Sequence, residues 1–418
     1  MDGAVDGTNR APMATTLERS YFRLYVHMMR YVQQISSQKM LHYFEVGVFV
    51  VALHLVGLLA VLHLSFVSAE GTNACLSSLI PPHIRPDGVH LMRLQIVPDA
   101  ACVLHGIEPL TGACSQGRSF SPPIASYMFA SERGYLSFFT KPPPATSSPL
   151  LRLENILTVQ ISRSDAACFG LRWEDVFGPL VTEVIEYVVG YDTIMMNHMR
   201  KWRAVETGAI LNEATSVVYE MDHGFATRPR PNATWIERIA FKVHVLYLCV
   251  SLFFVCIALL SFVMKETQLR CLRLTDVVVN RLPVSNDDVT TLVISYFMQS
   301  LVLVPVVLGM LFFLLEVYRD HVLAFGVLII LSYGEAFSIL CARTRLTQMY
   351  YPALFFCWFT VFHLYLVAFP YGFTHTALLC FGLVLIETSL FFTNCFEIPA
   401  LSRREISSTV IRERVSTM

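Results

Sequence analysis

Charge is scarce in this 418-residue chain: 15% of its residues are charged, against about 25% in an ordinary globular domain. The signs nearly cancel, to a net −1, so no overall field recruits nucleic acid. Metal-binding spacings are missing as well, with no C-x-x-C pair and no H-E-x-x-H. Nor is there a G-x-S-x-G elbow or a P-loop, the signatures of a hydrolase nucleophile and of a nucleotide cradle. Closely spaced Cys and His, which a RING-type ubiquitin ligase needs for its zinc, are too few outside the apolar runs. An intramembrane aspartyl protease needs two aspartates within its spans, and the "GYD" at 190–192 lies between apolar runs rather than in one. These absences argue against an enzyme and call for no cofactor.

What the chain has in excess is hydrophobicity, 54% of residues. It is concentrated in six runs, 44–66, 240–264, 292–315, 322–342, 350–370 and 374–396. Each approaches or exceeds the roughly 20 residues that a helix needs to cross a bilayer. Strands of a membrane barrel would alternate instead, so the expected fold is a membrane α-helical bundle of about six spans, with the lipid bilayer as its first partner. An apolar core of this length after 43 residues is too long for a cleaved signal peptide, despite the small residues of "FVSAEG" (66–71), and reads as a signal anchor.

Lys and Arg set the orientation. They crowd 1–43, 265–291, the short 343–349 and the tail 397–418, whereas the loops 316–321 and 371–373 hold only Arg319. The positive-inside rule puts both termini in the cytosol and 67–239 on the lumenal side. Glu316, Arg319, Asp320 and His321 then form a lumenal loop that reaches water, not an ion path. Before the first span, apolar residues recur at helical spacing over 17–35, with Arg19, Arg23 and Arg30 among the polar positions. The pattern reads as a basic amphipathic helix lying on the cytosolic membrane face.

The segment 67–239 is long enough for a domain of its own. "VHLMRLQIV" (89–97) and "LRLENILTVQIS" (151–162) read as strands, and 125–139 as a hairpin turning at Glu132–Gly134. A helical stretch over 173–202 breaks at Gly190. The expected class is α+β, inserted between the first two spans. Cys75, Cys102, Cys114 and Cys168 are an even set on the oxidising side, with one or two disulfides expected and the pairing open. Asn232, in "PNATW", is the sole N-glycosylation acceptor motif.

Three ionisable groups fall inside the runs: Glu335, His363 and Glu387. Such groups are costly in hydrocarbon and mark function by default. They read either as a proton relay or substrate groove, or as polar contacts between helices. Without repeat symmetry or interrupted helices of the transporter kind, the interhelical reading is favoured.

Short motifs in a fixed order add a resemblance. "HYFEVGVFV" carries Phe44–Glu45 into the first span, and "NACL" (73–76) follows it. "AACFG" (166–170) and "VVGYDTIMM", with Gly190, Tyr191 and Asp192, lie in the inserted domain. Then come Gly309–Met310, Glu316, Asp320, Ala324–Phe325, Glu335 and Cys341 without a gap, and "FEIPAL" with Glu397 and Pro399 at the exit of the last span. Together these resemble the membralin family, across most of the chain. The resemblance implies a multi-pass endoplasmic reticulum protein. It also implies a non-enzymatic role in ER-associated degradation, as partner of a membrane RING ubiquitin ligase and of ubiquitin-like membrane adaptors, with misfolded membrane proteins as clients. The residues leave two other readings open: a proton-coupled transporter or channel, and a receptor that uses the lumenal domain.

Overall fold

The structure is a computed structural model. It describes residues 10–35, 38–67, 75–98, 102–105, 108–112, 123–132, 136, 156–163, 165–169, 189–203, 208–221, 234–280, 290, 294, 297–298, 301–318, 320–369 and 371–406. The chain divides into two compact units. One gathers residues 1–56, 242–365 and 377–418; the other gathers 57–241 and 366–376.

The first unit is helical. It holds α1 (Arg10–Ile35), most of α2 (Gln38–Leu62), most of α6 (Trp235–Asn280), α7 (Val304–Tyr318), α8 (His321–Leu340), most of α9 (Arg345–Ala368), most of α10 (Thr374–Phe392) and α11 (Ile398–Ser402). Among the described residues, five stretches are long and apolar enough to cross a membrane: Lys39–Val67, Trp235–Arg270, His321–Leu340, Arg345–Ala368 and Thr374–Ser402. The run expected at 292–315 differs. Its described helix, α7, has 15 residues, about 22 Å at 1.5 Å per residue and short of the roughly 30 Å hydrocarbon core. A 3-10 turn, Leu301–Leu303, precedes it, and Pro305 sits in its first turn, where a missing N–H costs nothing.

Two other expectations change. The lumenal loop expected over 316–321 is shorter, because α7 runs through Glu316 to Tyr318 and α8 starts at His321. Asp320 makes this tight turn possible: its Oδ1 accepts the Val322 and Leu323 N–H groups at 2.8 and 3.2 Å, an N-cap that satisfies donors a helix start leaves open. The amphipathic helix begins earlier than 17, at Arg10, and part of its apolar stripe is spent inside the protein. Tyr21, Phe22, Tyr25 and Met29 are buried, so protein covers this part of the helix, while Leu24 and Tyr31 stay exposed.

Helix α8 packs through glycines. A Cβ on Gly334 would lie 2.5 Å from the Phe355 ring of α9, and one on Gly326 would lie 2.4 Å from Leu378 of α10. Small residues at these crossings allow the close approach on which helix association in lipid depends.

The second unit is built on a seven-stranded mixed sheet, in the order β3-β2-β5-β1-β4-β6-β7. Its strands are β1 (Leu91–Val97), β2 (Cys102–His105), β3 (Glu108–Gly112), β4 (Ala125–Ala130), β5 (Leu157–Ser162), β6 (Ala209–Asn212) and β7 (Val218–Glu220). Only β1 and β5 run parallel; the other pairs are antiparallel. The hairpin expected over 125–139 does not form around β4. That strand has β1 on one edge and β6 on the other, which leaves no edge for a local partner.

Strand alternation sorts the sheet's two faces. Met92, Leu94 and Ile96 of β1, with Leu157, Val159 and Ile161 of β5, enter one core. Onto it pack α3 (Cys75–Leu79), α5 (Asp192–Arg203), the Leu62–Phe66 end of the first long helix and Phe373. The opposite face is smaller and partly polar. There Leu91, Met128 and Leu211 cluster, and Arg93 pairs with Glu213 at 3.0 Å.

Candidate functional site

Polarity inside the bundle is arranged in pairs that bridge helices. The Ser261 hydroxyl of α6 donates to Glu335 Oε1 of α8, and both lie within stretches long enough to span. His363, buried in α9, is held from both sides. Its Nδ1 lies 2.8 Å from the Phe359 carbonyl. A carbonyl only accepts, so Nδ1 carries a proton, and Nε2 pairs with the Tyr318 hydroxyl of α7. The ring is therefore a connector with both nitrogens engaged. Asn394 Nδ2 donates to Glu45 Oε2 at 2.8 Å, which ties the "FE" motif of the first span to the end of the last. Glu387 differs from the other polar groups. It is half-buried, and no hydrogen bond joins it to another described residue.

A second cluster closes one end of the bundle. Glu397 is fully buried. Its Oε1 accepts the backbone N–H of Arg343 and of Thr344, both at 3.0 Å, and the Thr344 hydroxyl at 2.9 Å. Its Oε2 accepts the Tyr25 hydroxyl at 3.0 Å. Thr344 also accepts the Thr347 N–H at 3.3 Å and so caps α9. Arg343 is buried too; its Nε and Nη2 donate to the Leu340 and Ile339 carbonyls, and its guanidinium lies 6.0 Å from the Tyr25 ring centre. Burial, together with the Glu397 carboxylate, pushes the Tyr25 phenol far above its usual range, so it stays a donor. The carboxylate thus joins three distant parts of the chain: α1, the α8–α9 turn and the end of α10. Pro399 follows at the start of α11, where its ring suits a helix's first turn.

In the sheet unit the "GYD" motif is a joint. Gly190 has φ +65°, a left-handed turn that glycine enters without strain. It directs the chain into α5, whose first residue, Asp192, takes three hydrogen bonds: from Tyr127 at 2.7 Å, Asn212 at 2.9 Å and Tyr219 at 2.5 Å. Asp192 therefore pins α5 to β4, β6 and β7. Tyr191 stacks edge-on against Phe169, with centroids 5.7 Å apart.

The same unit carries one disulfide among the described residues, Cys75–Cys168, across a sequence separation of 93. It ties α3 to α4 (Ala166–Phe169). Cys114 and Asn232 lie outside the described residues, and Cys102 is described only as backbone in β2. Beside the disulfide, His198 Nε2 donates to the Cys168 carbonyl at 2.8 Å. Burial lowers its pKa to about 4, so the ring is neutral.

Of the remaining motif residues, Met310 is buried, Phe44 and Glu316 are exposed, and a Cβ on Gly309 would meet nothing within 4 Å. No group of three or more His, Cys, Asp or Glu among the described residues is placed to hold a metal ion. Sequence reasoning missed Tyr25, Thr344, Ser261, Tyr318 and Asn394. Each is an ordinary polar residue in an apolar setting, and only its partner gives it a role. Arg343 counted only as a topology charge.

Apolar helices of spanning length, bridged by paired polar groups, define a polytopic helical membrane protein that carries a sheet domain. A membralin-like protein of Arabidopsis thaliana is 33% identical over 294 residues, which are 69% of this chain and 43% of that protein. The chain belongs to the membralin family. It spans less than half the length of that curated relative. No family model matches the chain, and no solved structure matches it significantly.

Proposed function

We propose that this chain is a non-enzymatic scaffold and client-recognition subunit in the ER-associated degradation of membrane proteins. In this reading it sits in the endoplasmic reticulum membrane with both termini cytosolic and the sheet unit in the lumen. Its partners are a membrane RING ubiquitin ligase and ubiquitin-like membrane adaptors. Membership of the membralin family carries the reading, because the family is implicated in that process.

The polar groups support it. Glu335 and His363 are engaged by hydroxyls of neighbouring helices, as structural contacts are. Glu387 is the intramembrane carboxyl left for a polar group of a client helix. Interhelical hydrogen bonds in lipid average only about 0.6 kcal/mol, which suits sampling rather than tight capture. The bond of His363 Nδ1 to the Phe359 backbone carbonyl argues against a proton relay through it, since a carbonyl does not pass the proton on.

Affinity purification in mild detergent, with client turnover measured in a knockout, tests the proposal. A co-purifying RING ligase and slowed turnover of membrane clients are expected. Normal turnover with no degradation partner recovered would remove the scaffold reading. pH-dependent flux in proteoliposomes, abolished by Glu387→Gln, would replace it with transport.

A further inference from the structure

We propose that the exposed face of α1 is a binding surface for the headgroups of anionic phospholipids. Tyr21, Phe22, Tyr25 and Met29 of α1 are turned inward, with Tyr25 bonded to Glu397. That leaves Arg19, Arg23, His27 and Arg30 exposed along the other side. At steps of three and four residues they form one continuous row on a helix. With Phe22 and Val26 they line a cleft of about 530 Å³. Among the described residues, no carboxylate forms an ion pair with any of the three arginines.

Two anchors hold this row near the level where headgroups lie. At its C-terminal end, only residues 36 and 37 separate α1 from α2, whose spanning stretch starts at Lys39. In its middle, Tyr25 is bonded to Glu397, inside the last spanning stretch Thr374–Ser402. A helix tethered at both points runs beside the membrane face instead of projecting away from it. Anionic lipids concentrate there, and polybasic segments near the surface gain from each Lys or Arg. An acidic protein segment has the same charge but no comparable enrichment at this level, so the lipid is favoured. The half-buried aliphatic Val26 beside the arginines suits the glycerol region of a lipid. This surface does not depend on the degradation role.

The test uses the full chain in phosphatidylcholine nanodiscs. The probes are dioctanoyl phosphatidylinositol 4-phosphate, dioctanoyl phosphatidylcholine, inorganic phosphate and a hexaglutamate peptide. The anionic lipid should bind well above the other three, and more weakly as salt rises. Replacing Arg19, Arg23 and Arg30 together by Gln should weaken it on the order of a hundredfold, at about fivefold per charge. Replacing all three by Lys should keep most of the binding. Equal binding of phosphatidylcholine, or equal binding of hexaglutamate or phosphate, would overturn the proposal. So would an unchanged affinity in the Gln variant, or a loss in the Lys variant as large as in the Gln variant. The lipid and salt comparisons use the native chain and hold even where a variant folds poorly.

Discussion

Removing the Glu397 carboxylate would leave the buried backbone N–H groups of Arg343 and Thr344 without their acceptor and take one partner from the hydroxyls of Thr344 and Tyr25. Glu397→Ala should therefore cost on the order of 3 kcal/mol, because buried groups that lose a charged acceptor keep their full desolvation penalty. Tyr25→Phe removes one donor and should cost about 1–2 kcal/mol. Both are read as lowered unfolding midpoints in nanodiscs, with faster proteolysis within α1. His198 gives a pH signature of opposite origin. Its folded pKa of about 4 lies below the ordinary 6.5, so between these values the unfolded chain binds the extra proton. Stability from this group is complete above pH 6.5 and declines as pH falls toward 4. Lowering pH from 7.5 to 5.5 should cost about 1 kcal/mol through His198, and His198→Gln should flatten that slope. Glu397 and Asp192 were visible beforehand as letters in motifs. Their roles were not, since Tyr25 and Glu397 lie 372 positions apart and no local pattern links them.

Among the elements, helices were the most legible because hydrophobicity over about 20 residues is a long and redundant signal. Helix α8 fills His321–Leu340 where a span is expected over 322–342, and α9 fills Arg345–Ala368 against an expected 350–370. Strand pairing was less legible. The 125–139 stretch alternates like a hairpin, yet β4 pairs with β1 and with the distant β6. Element contacts also set sharp mutational limits. Gly334→Leu should separate α8 from α9, because even a Cβ there would lie 2.5 Å from the Phe355 ring. The expected outcome is a loss of folded protein in detergent extracts, while Gly309→Ala, with nothing within 4 Å, should be tolerated. Cys75→Ser should lower stability by about 2–5 kcal/mol, checked by denaturant titration beside the wild type under reducing and non-reducing conditions.

Across the whole molecule, two gatherings bear on topology. The Glu397 cluster brings together α1, the α8–α9 turn and the end of α10, the regions that the distribution of Lys and Arg assigns to one side. The sheet unit gathers 57–241 with 366–376, the regions that the same charges assign to the other side. Glycosylation mapping checks the assignment to compartments. An acceptor sequon placed in 68–74 should be modified, and one placed after residue 406 should not. Modification of the second would invert the orientation.

The sequence by itself determined that the chain carries apolar helices of membrane-spanning length, where most of them run and which family it resembles. Each of these is carried by local composition or by short motifs read in order. Only the tertiary structure decided what the polar residues do. It turned Tyr21, Tyr25 and Met29 of α1 inward, extended α7 and α8 into an expected six-residue loop, and matched Glu335 with Ser261, His363 with Tyr318 and Glu397 with Tyr25. The physical reason is that a buried polar group is defined by its partner. In this chain the partners come from helices far apart in sequence, brought together only by packing.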